Sequence, residues 1–266
     1  MMMSNKLLIQ ERIKTRHTDP FKTNKRINDI ITYITKWNIK DVVVGISGGI
    51  DSAFVLKLLL AAKEVKQFNI HTVFFTHGLH DNEAPKEVVD SFLLDLPVRH
   101  TVIDLNPIIQ ATNSVCSGVS DSVLDTQYAY ALMYTLLFRK AQEVKGITFG
   151  TTNKDEFAIG WFGKTSDMVV DIQPIHDFHK HEIYSSYLSQ SIPDSISGRS
   201  PNGDLLTGKT DEEVFGCTYD EVSAIVSLLE EGNHFDFVEY EQLKSVIDSN
   251  KHKLVKPKTH FNPIFL

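Results

Sequence analysis

The sequence predicts an α/β protein, a doubly wound parallel sheet forming a single domain over residues 1–266. Between residues 41 and 151, short apolar runs alternate with helical stretches, a pattern typical of this fold class. The first run, Asp41 to Ile46 (DVVVGI), is apolar at consecutive positions, as expected for a strand buried on both faces of a parallel sheet. No repeat and no Pro/Gly-rich linker marks a domain boundary.

The individual elements follow from periodicity and from turn residues. An N-terminal helical segment is predicted over about 20–38, where apolar residues recur at helical spacing. Strands are predicted at 41–46, 71–76, 98–105, 146–151 and 168–172, and helices at 53–64, 83–94 and 122–144. The stretch 194–213 is polar and rich in Gly and Ser, and its length favours a mobile lid over disorder.

Composition and charge indicate which kinds of binding partner and which cellular compartment to expect. The net charge is −7 and no stretch concentrates Lys and Arg into a basic face, which argues against nucleic acid as the main partner. No apolar run is long enough for a membrane span, and no signal peptide is recognisable. Only Cys116 and Cys217 are present, and we expect both to be free thiols. We therefore expect a soluble cytoplasmic protein without a membrane partner.

A glycine-bearing turn follows the first strand and predicts a phosphate site. Gly48 and Gly49 allow a tight turn and bring backbone N–H groups close to a ligand. Ser47 and Ser52 add hydroxyl groups, and the following helix directs its positive end to the same place. The carboxyl end of a strand is where open α/β sheets bind ligands.

Asp51 lies inside this turn, where it would repel phosphate unless a cation lay between them. Mg²⁺ favours such an arrangement of one or two carboxylates with phosphate oxygens. The Walker A and dinucleotide-binding glycine motifs are both absent. The alternative is an ordinary turn in which Asp51 caps the helix.

The turn SGGIDS resembles the pyrophosphate-binding loop of the N-type ATP pyrophosphatases, which have an adenine nucleotide alpha hydrolase-like fold with flavodoxin-like layering. From about residue 19 to 260, the chain resembles the ammonia-dependent NAD synthetases of that superfamily. The further segments that carry the resemblance are GTTNKDE (150–156), GWFGKTSD (160–167) with Asp171, Pro174 and Lys180 after it, GKTDE (208–212), Gly216 to Tyr219, and the pair His252-Lys253.

The resemblance implies a role for each matching residue. Asp51 and Glu156 would hold Mg²⁺. ATP, as co-substrate, would be bound by Gly45, Ile46, Ser47, Gly48, Gly49, Ile50, Asp51, Ser52, Thr151, Lys180 and Asn202. Lys164, Asp171, His252 and Lys253 would contact deamido-NAD. Asp51, Lys164 and Asp167 would be catalytic, and Asp167 would take a proton from ammonium, because only free ammonia attacks an acyl-adenylate.

The implied activity is that of a ligase in NAD biosynthesis. ATP would activate the carboxylate of deamido-NAD as an acyl-adenylate, releasing pyrophosphate, and ammonia would then displace AMP to give NAD. The chain is too short to include a glutaminase domain, so free ammonia or a separate ammonia-supplying subunit is implied. The family's homodimer is also expected.

Two alternatives remain. Ala129 and Ala131 stand where the family carries arginines, so the same chemistry could act on a different carboxylate. A catalytically inactive ATP-binding homologue is the second. His176, His179 and His181 raise a separate zinc hypothesis, which lacks a further well-spaced ligand.

Overall fold

A parallel sheet lies at the centre of the fold in the computed structural model, which describes residues 5–76, 83–115, 122–202, 209–233 and 235–254. Its strands are β1 (Asp41–Gly45), β2 (Asn69–Thr76), β3 (Arg99–Asp104) and β4 (Ile147–Phe149). Across the sheet they follow the order β3-β2-β1-β4, and every pairing is parallel. The α/β fold with a parallel sheet is therefore confirmed.

The helices account for most of the remaining chain. They are α1 (Asn5–Thr15), α2 (Lys22–Lys36), α3 (Ile50–Val65), α4 (Glu83–Leu93), α5 (Asn106–Val115), α6 (Ser122–Val144), α7 (Lys154–Ile159), α8 (Lys180–Ser185), α9 (Asp194–Ser197), α10 (Asp211–Phe215), α11 (Tyr219–Glu230) and α12 (Glu241–Asn250). Within the described ranges, every helix is too short or too polar to cross a bilayer.

Strand β1 has helices on both sides. Val42 and Val44 pack in the large core cluster with residues of α2 and α3, whereas Val43 packs with Leu137 and Ala141 of α6. All three valines are fully buried, because alternate side chains of a strand point to opposite faces and both faces are covered. This confirms the prediction that the first strand is buried on both sides.

The strand order fixes the position of a ligand-binding crevice. From β1 the chain builds the sheet outward through β2 to β3, and then returns to the other side of β1 to add β4. The direction reverses between β1 and β4, and open α/β sheets bind ligands outside the carboxyl ends of the strands at such a switch point. The turns that follow β1 and β4 therefore border the expected site.

A second core cluster joins helix α1 to the last three helices of the described residues. Ile9 of α1 packs with buried residues of α10, α11 and α12, among them Phe215, Val222 and Leu243. Arg12 pairs with Glu231, just after α11, through two guanidinium–carboxylate hydrogen bonds. Helix α1 was not predicted, because its segment is only weakly amphipathic. The packing of Ile9 against the later helices stabilises it, and the sequence of the segment does not reveal that contact.

The strand predicted at 168–172 is wrong. Residue 172 makes only an isolated parallel bridge to Phe149, while the preceding residues form turns. The Asp171 carboxylate accepts hydrogen bonds from the backbone N–H (2.7 Å) and the hydroxyl (2.8 Å) of Thr148. A side chain thus occupies the position on the edge of β4 where a neighbouring strand would place a carbonyl.

The stretch 194–213 is more regular at its ends than its composition suggests. It contains α9 and the beginning of α10, whose N-cap Thr210 forms a capping box with Glu213. Residues 203–208 lie outside the described residues, and the lid role stays a prediction.

Candidate active site

The turn after β1 presents its backbone to the switch point. Gly48 has a φ of 81°, in the left-handed region that favours glycine. The Ser47 side chain accepts a hydrogen bond from the Gly49 N–H (3.3 Å), and the Ser52 hydroxyl donates to the Gly49 carbonyl (3.0 Å). These bonds fix the turn without a ligand.

Helix α3 begins at Ile50, so its N-cap is Gly49, which provides no side-chain cap. The N–H groups of the first helical turn are thus left for a ligand, which favours an anion. Asp51 lies within the helix, and the alternative that it caps the helix is therefore wrong.

Asp51 faces the turn after β4 across the switch point. Its Oδ1 accepts a hydrogen bond from the Asn153 side chain (3.2 Å), and its Oδ2 pairs with the ammonium of Lys180. Asn153 also caps α7 in a capping box with Glu156. The two carboxylates assigned to magnesium, far apart in sequence, thus lie at one place in the fold.

Lys180 lies between the two carboxylates. Its Nζ is 3.7 Å from Glu156 Oε1, and its side chain is only 2% exposed. Burial alone would lower the pKa of Lys180, but the negative charges of Asp51 and Glu156 outweigh it and raise this pKa. The ammonium therefore keeps its charge.

Two carboxylates that reach one buried ammonium are a suitable donor set for a hard divalent cation. Mg²⁺ is commonly bound by one or two carboxylates together with substrate phosphates. Asp51 and Glu156 supply the carboxylates, and the turn after β1 lies beside Asp51. Among the described residues no group of three or more His, Cys, Asp and Glu side chains could hold a metal without substrate oxygens.

A buried aspartate that the sequence analysis missed positions Lys180. Asp155 is fully buried, and its Oδ2 accepts hydrogen bonds from the Lys180 backbone N–H (2.8 Å) and the Ser223 hydroxyl (2.6 Å). Its Oδ1 is 2.6 Å from His179 Nδ1. Asp155 thereby fixes the start of α8, from which the Lys180 side chain extends. Only its place within the GTTNKDE segment could have drawn attention to it.

The three histidines of the zinc hypothesis serve other contacts. His179 is the N-cap of α8, so the helix begins after His176 and His179 and these two do not share a helix face. His179 contacts Asp155 and stacks on His181, and burial lowers the pKa of His181 to about 4.

Asp167, the proposed proton acceptor, is held by three donors. Its Oδ2 accepts from the Gly163 N–H (2.7 Å) and the Ser166 hydroxyl (3.2 Å), and its Oδ1 accepts from the Tyr134 hydroxyl (2.7 Å). Burial, followed by the charge of Asp167, raises the pKa of Tyr134, while a hydrogen bond to Thr151 acts in the opposite direction. Tyr134 is another residue that was not foreseen, and its hydroxyl helps to hold the Asp167 carboxylate in place.

The predicted deamido-NAD contacts are distributed around the same turn. Lys253 Nζ donates to the carbonyls of Gly160 (3.3 Å) and Phe162 (2.8 Å). Burial lowers the pKa of Lys253, and the negative charge of Asp167 acts in the opposite direction. Lys164 is exposed within the turn, and His252 is exposed beside Lys253 with its Nδ1 2.9 Å from the Ser249 carbonyl.

Two further predicted contacts, Asp171 and Asn202, follow this turn in the sequence. Asp171 contacts Thr148 on the edge of β4. Asn202 is exposed after α9, and Gly208 of the GKTDE segment lies outside the described residues.

Glu156 gives a testable dependence of stability on pH. Burial, followed by the charge of Asp51, raises the pKa of Glu156 well above its ordinary value. A raised carboxyl pKa stabilises the fold at low pH, and this contribution is lost as pH rises from about 4.3, the unfolded value, towards the raised folded value. Without Mg²⁺ or nucleotide, the free energy of unfolding of Glu156→Gln should therefore increase relative to wild type across this window. Urea unfolding at a series of pH values measures this difference in the free energy of unfolding.

Glu87→Gln is the control, because Glu87 is exposed. Parallel curves of unfolding free energy against pH for wild type and Glu156→Gln would contradict the expectation.

The strand order, the uncapped turn after β1 and the acid pair facing it define an α/β nucleotide-binding protein. The comparisons with known proteins identify the family. The sequence model of the NAD synthase family matches residues 22–257. The chain therefore belongs to the NAD synthase family, which makes it a ligase that forms carbon–nitrogen bonds and uses ATP.

Individual relatives agree with this assignment. The NH(3)-dependent NAD(+) synthetase of Methanosarcina acetivorans is 30% identical over 251 residues, covering 89% of this chain and 96% of the relative. The corresponding enzyme of Archaeoglobus fulgidus is 27% identical over 240 residues, covering 89% and 95%.

Solved structures share the fold. An NMN synthetase from Francisella tularensis superposes with a TM-score of 0.80 at 21% identity, covering 92% of this chain and all of that one. An NH3-dependent NAD synthetase from Campylobacter jejuni gives a TM-score of 0.69 at 22% identity, covering 90% and 97%.

Proposed function

We propose that this protein amidates deamido-NAD to NAD with ammonia, through an acyl-adenylate, releasing AMP and pyrophosphate. The observation that carries the proposal is the meeting of Asp51, Glu156 and Lys180 beside the uncapped turn after β1. Adenylation requires a site that binds the outer phosphates of ATP and stabilises the charge that develops on them. This group of residues has the components of such a site.

Each part of the site has a distinct task in the proposed reaction. The N–H groups in the first turn of α3 bind the outer phosphates and stabilise the charge of the departing pyrophosphate. The Lys180 ammonium gives up part of its contact with Asp51 and Glu156 and contacts ATP instead. When bound to Asp51 and Glu156, Mg²⁺ supplies further neutralisation of phosphate charge.

In this proposal the acid substrate binds at the turn formed by residues 160–167. An ionised carboxylate has about four lone-pair positions, and Asp167 uses three of them within the protein. The remaining position accepts ammonium and takes its proton, so that ammonia reaches the acyl carbon. Lys164, on the same turn, and Lys253, whose ammonium contacts its backbone, supply positive charge near the acid.

A second candidate retains this chemistry on a smaller acid. Ala129 is fully buried in α6 and has no charge with which to bind the phosphate of a second nucleotide. A protein of the same fold is described as an NMN synthetase, so the acid corresponding to NMN is the natural competing substrate.

The test compares the two acids directly. The purified protein is incubated with ATP, Mg²⁺, ammonium and either deamido-NAD or the mononucleotide acid, and the amides are identified by mass. We expect NAD, with AMP and pyrophosphate in equal amounts. Amide formation from the mononucleotide alone would favour the second candidate, and absence of pyrophosphate release with both acids would refute adenylation. Without ammonium, acid-dependent exchange of labelled pyrophosphate into ATP tests the acyl-adenylate.

A further inference from the structure

Arg199 differs from the other arginines of the chain in its electrostatic partners. The sequence contains six arginines, and five of them have a carboxylate oxygen within 4.0 Å. These pairs are Arg12–Glu231, Arg16–Asp220, Arg26–Asp177, Arg99–Asp41 and Arg139–Glu143. Within the part of the chain that the structure describes, Arg199 has no such partner.

Arg199 lies against the turn after β1. Its Nη1 is 3.3 Å from the position that a Cβ atom would occupy at Gly48, and the Val89 side chain of α4 is 3.4 Å from the same point. The absence of a side chain at residue 48 thus allows the guanidinium to approach the turn. The Arg199 backbone is held by a hydrogen bond from its N–H to the Ile196 carbonyl of α9 (3.1 Å).

The charges around the turn leave room for a further cationic group to bind phosphate, and the Arg199 guanidinium is suited to this. Lys180 is shared between Asp51 and Glu156, so much of its charge is already balanced within the protein. A departing pyrophosphate carries several negative charges and benefits from further cationic donors. Arginine presents a planar set of N–H donors that matches the oxygens of phosphate and keeps its charge at all physiological pH values.

We propose that Arg199 is a phosphate-binding residue that contacts pyrophosphate in the turn after β1. The proposal rests on the function proposed above and deepens it, because it adds a cation from outside the turn to the site of the leaving group. The pyrophosphate lies between the N–H groups of the turn on one side and the Arg199 guanidinium on the other. The acid substrate binds elsewhere, so its affinity does not depend on Arg199.

The test uses inorganic pyrophosphate with Mg²⁺ as the probe. Its binding to wild type, Arg199→Ala and Arg199→Lys is measured by calorimetry, and its inhibition of the forward reaction by kinetics. Loss of charge-assisted hydrogen bonds should weaken pyrophosphate by about 10- to 100-fold in Arg199→Ala. Arg199→Lys should show a smaller loss, because lysine keeps the charge without the planar donors. The KM for the acid substrate should stay unchanged.

Arg139→Ala is the matched control, since Arg139 is exposed on α6 and pairs with Glu143. It should bind pyrophosphate as wild type does. If Arg199→Ala and Arg199→Lys bind pyrophosphate as tightly as wild type, the role of Arg199 is overturned while the proposed function stands. If wild type neither binds pyrophosphate nor releases it from ATP, the proposed function itself fails.

Discussion

Asp51→Asn is expected to lower the rate of acid-dependent pyrophosphate release by roughly a thousandfold. The reason is that a metal ion contributes several kcal/mol to stabilising the charge of a phosphoryl transition state, and each 1.36 kcal/mol corresponds to about tenfold in rate. The amide can still contact Asn153 and Lys180, but it has no charge with which to hold the cation. Steady-state kinetics over a wide range of Mg²⁺ concentrations measures the effect.

Asp95→Asn is the matched control, because Asp95 is exposed between α4 and β3. It should retain the wild-type rate. Circular dichroism and thermal unfolding establish that both variants fold. An Asp51→Asn variant that is folded and turns over within tenfold of wild type would contradict the role of Asp51 in holding Mg²⁺.

Lys180→Met is expected to produce the largest loss of stability. Removing one partner of a buried ion pair typically costs about 3–5 kcal/mol, because the remaining charge is left without compensation. Here two carboxylates would be left, with side chains 17% and 16% exposed for Asp51 and Glu156. For a chain of this size, the loss corresponds to a decrease in Tm of roughly 6–15 °C. Differential scanning calorimetry without divalent ions measures it.

Magnesium should partly restore the stability of Lys180→Met. A divalent cation can replace the missing ammonium between the two acids, and a ligand that binds only the folded state raises the unfolding free energy. We therefore expect Mg²⁺ to raise the Tm of Lys180→Met more than that of wild type.

Lys154→Met is the control, since Lys154 pairs with the exposed Glu230 (2.6 Å) at the surface, where such pairs contribute under about 1 kcal/mol. Equal losses of stability in the two variants would contradict the expected cost of leaving Asp51 and Glu156 without their ammonium. If Mg²⁺ raises the Tm of Lys180→Met no more than that of wild type, Asp51 and Glu156 do not form a cation site.

Sequence patterns predicted most of the sheet and its neighbours. The apolar run of β1, the helical periodicity of α2 and the alternation through β4 are local signals, because they arise from the requirement to bury each element. Helix α5 was not predicted, and none of its described side chains is buried, so it carries no strong core pattern. The strand expected at 168–172 failed because Asp171 hydrogen-bonds Thr148, a contact between residues distant in sequence.

Local sequence patterns predicted only part of the candidate site. The turn after β1 combines Gly, Ser and Asp within a few residues, so a phosphate site could be predicted there from local chemistry. The roles proposed for Glu156 and Lys180 were inferred from resemblance to a family. Asp155, Tyr134 and Arg199 gave no local signal, because what distinguishes them is which distant atoms they meet.

The sequence by itself determined the parallel α/β class, the glycine turn after the first strand and the identity of the acids available to bind a cation. Only the tertiary structure decided that Asp51 and Glu156 reach the same ammonium, that Asp155 fixes the start of α8, and that Arg199 lies over Gly48. The physical reason is that helix and strand preferences act over a few residues. The electrostatics of the site arise from side chains brought together at the switch point between β1 and β4.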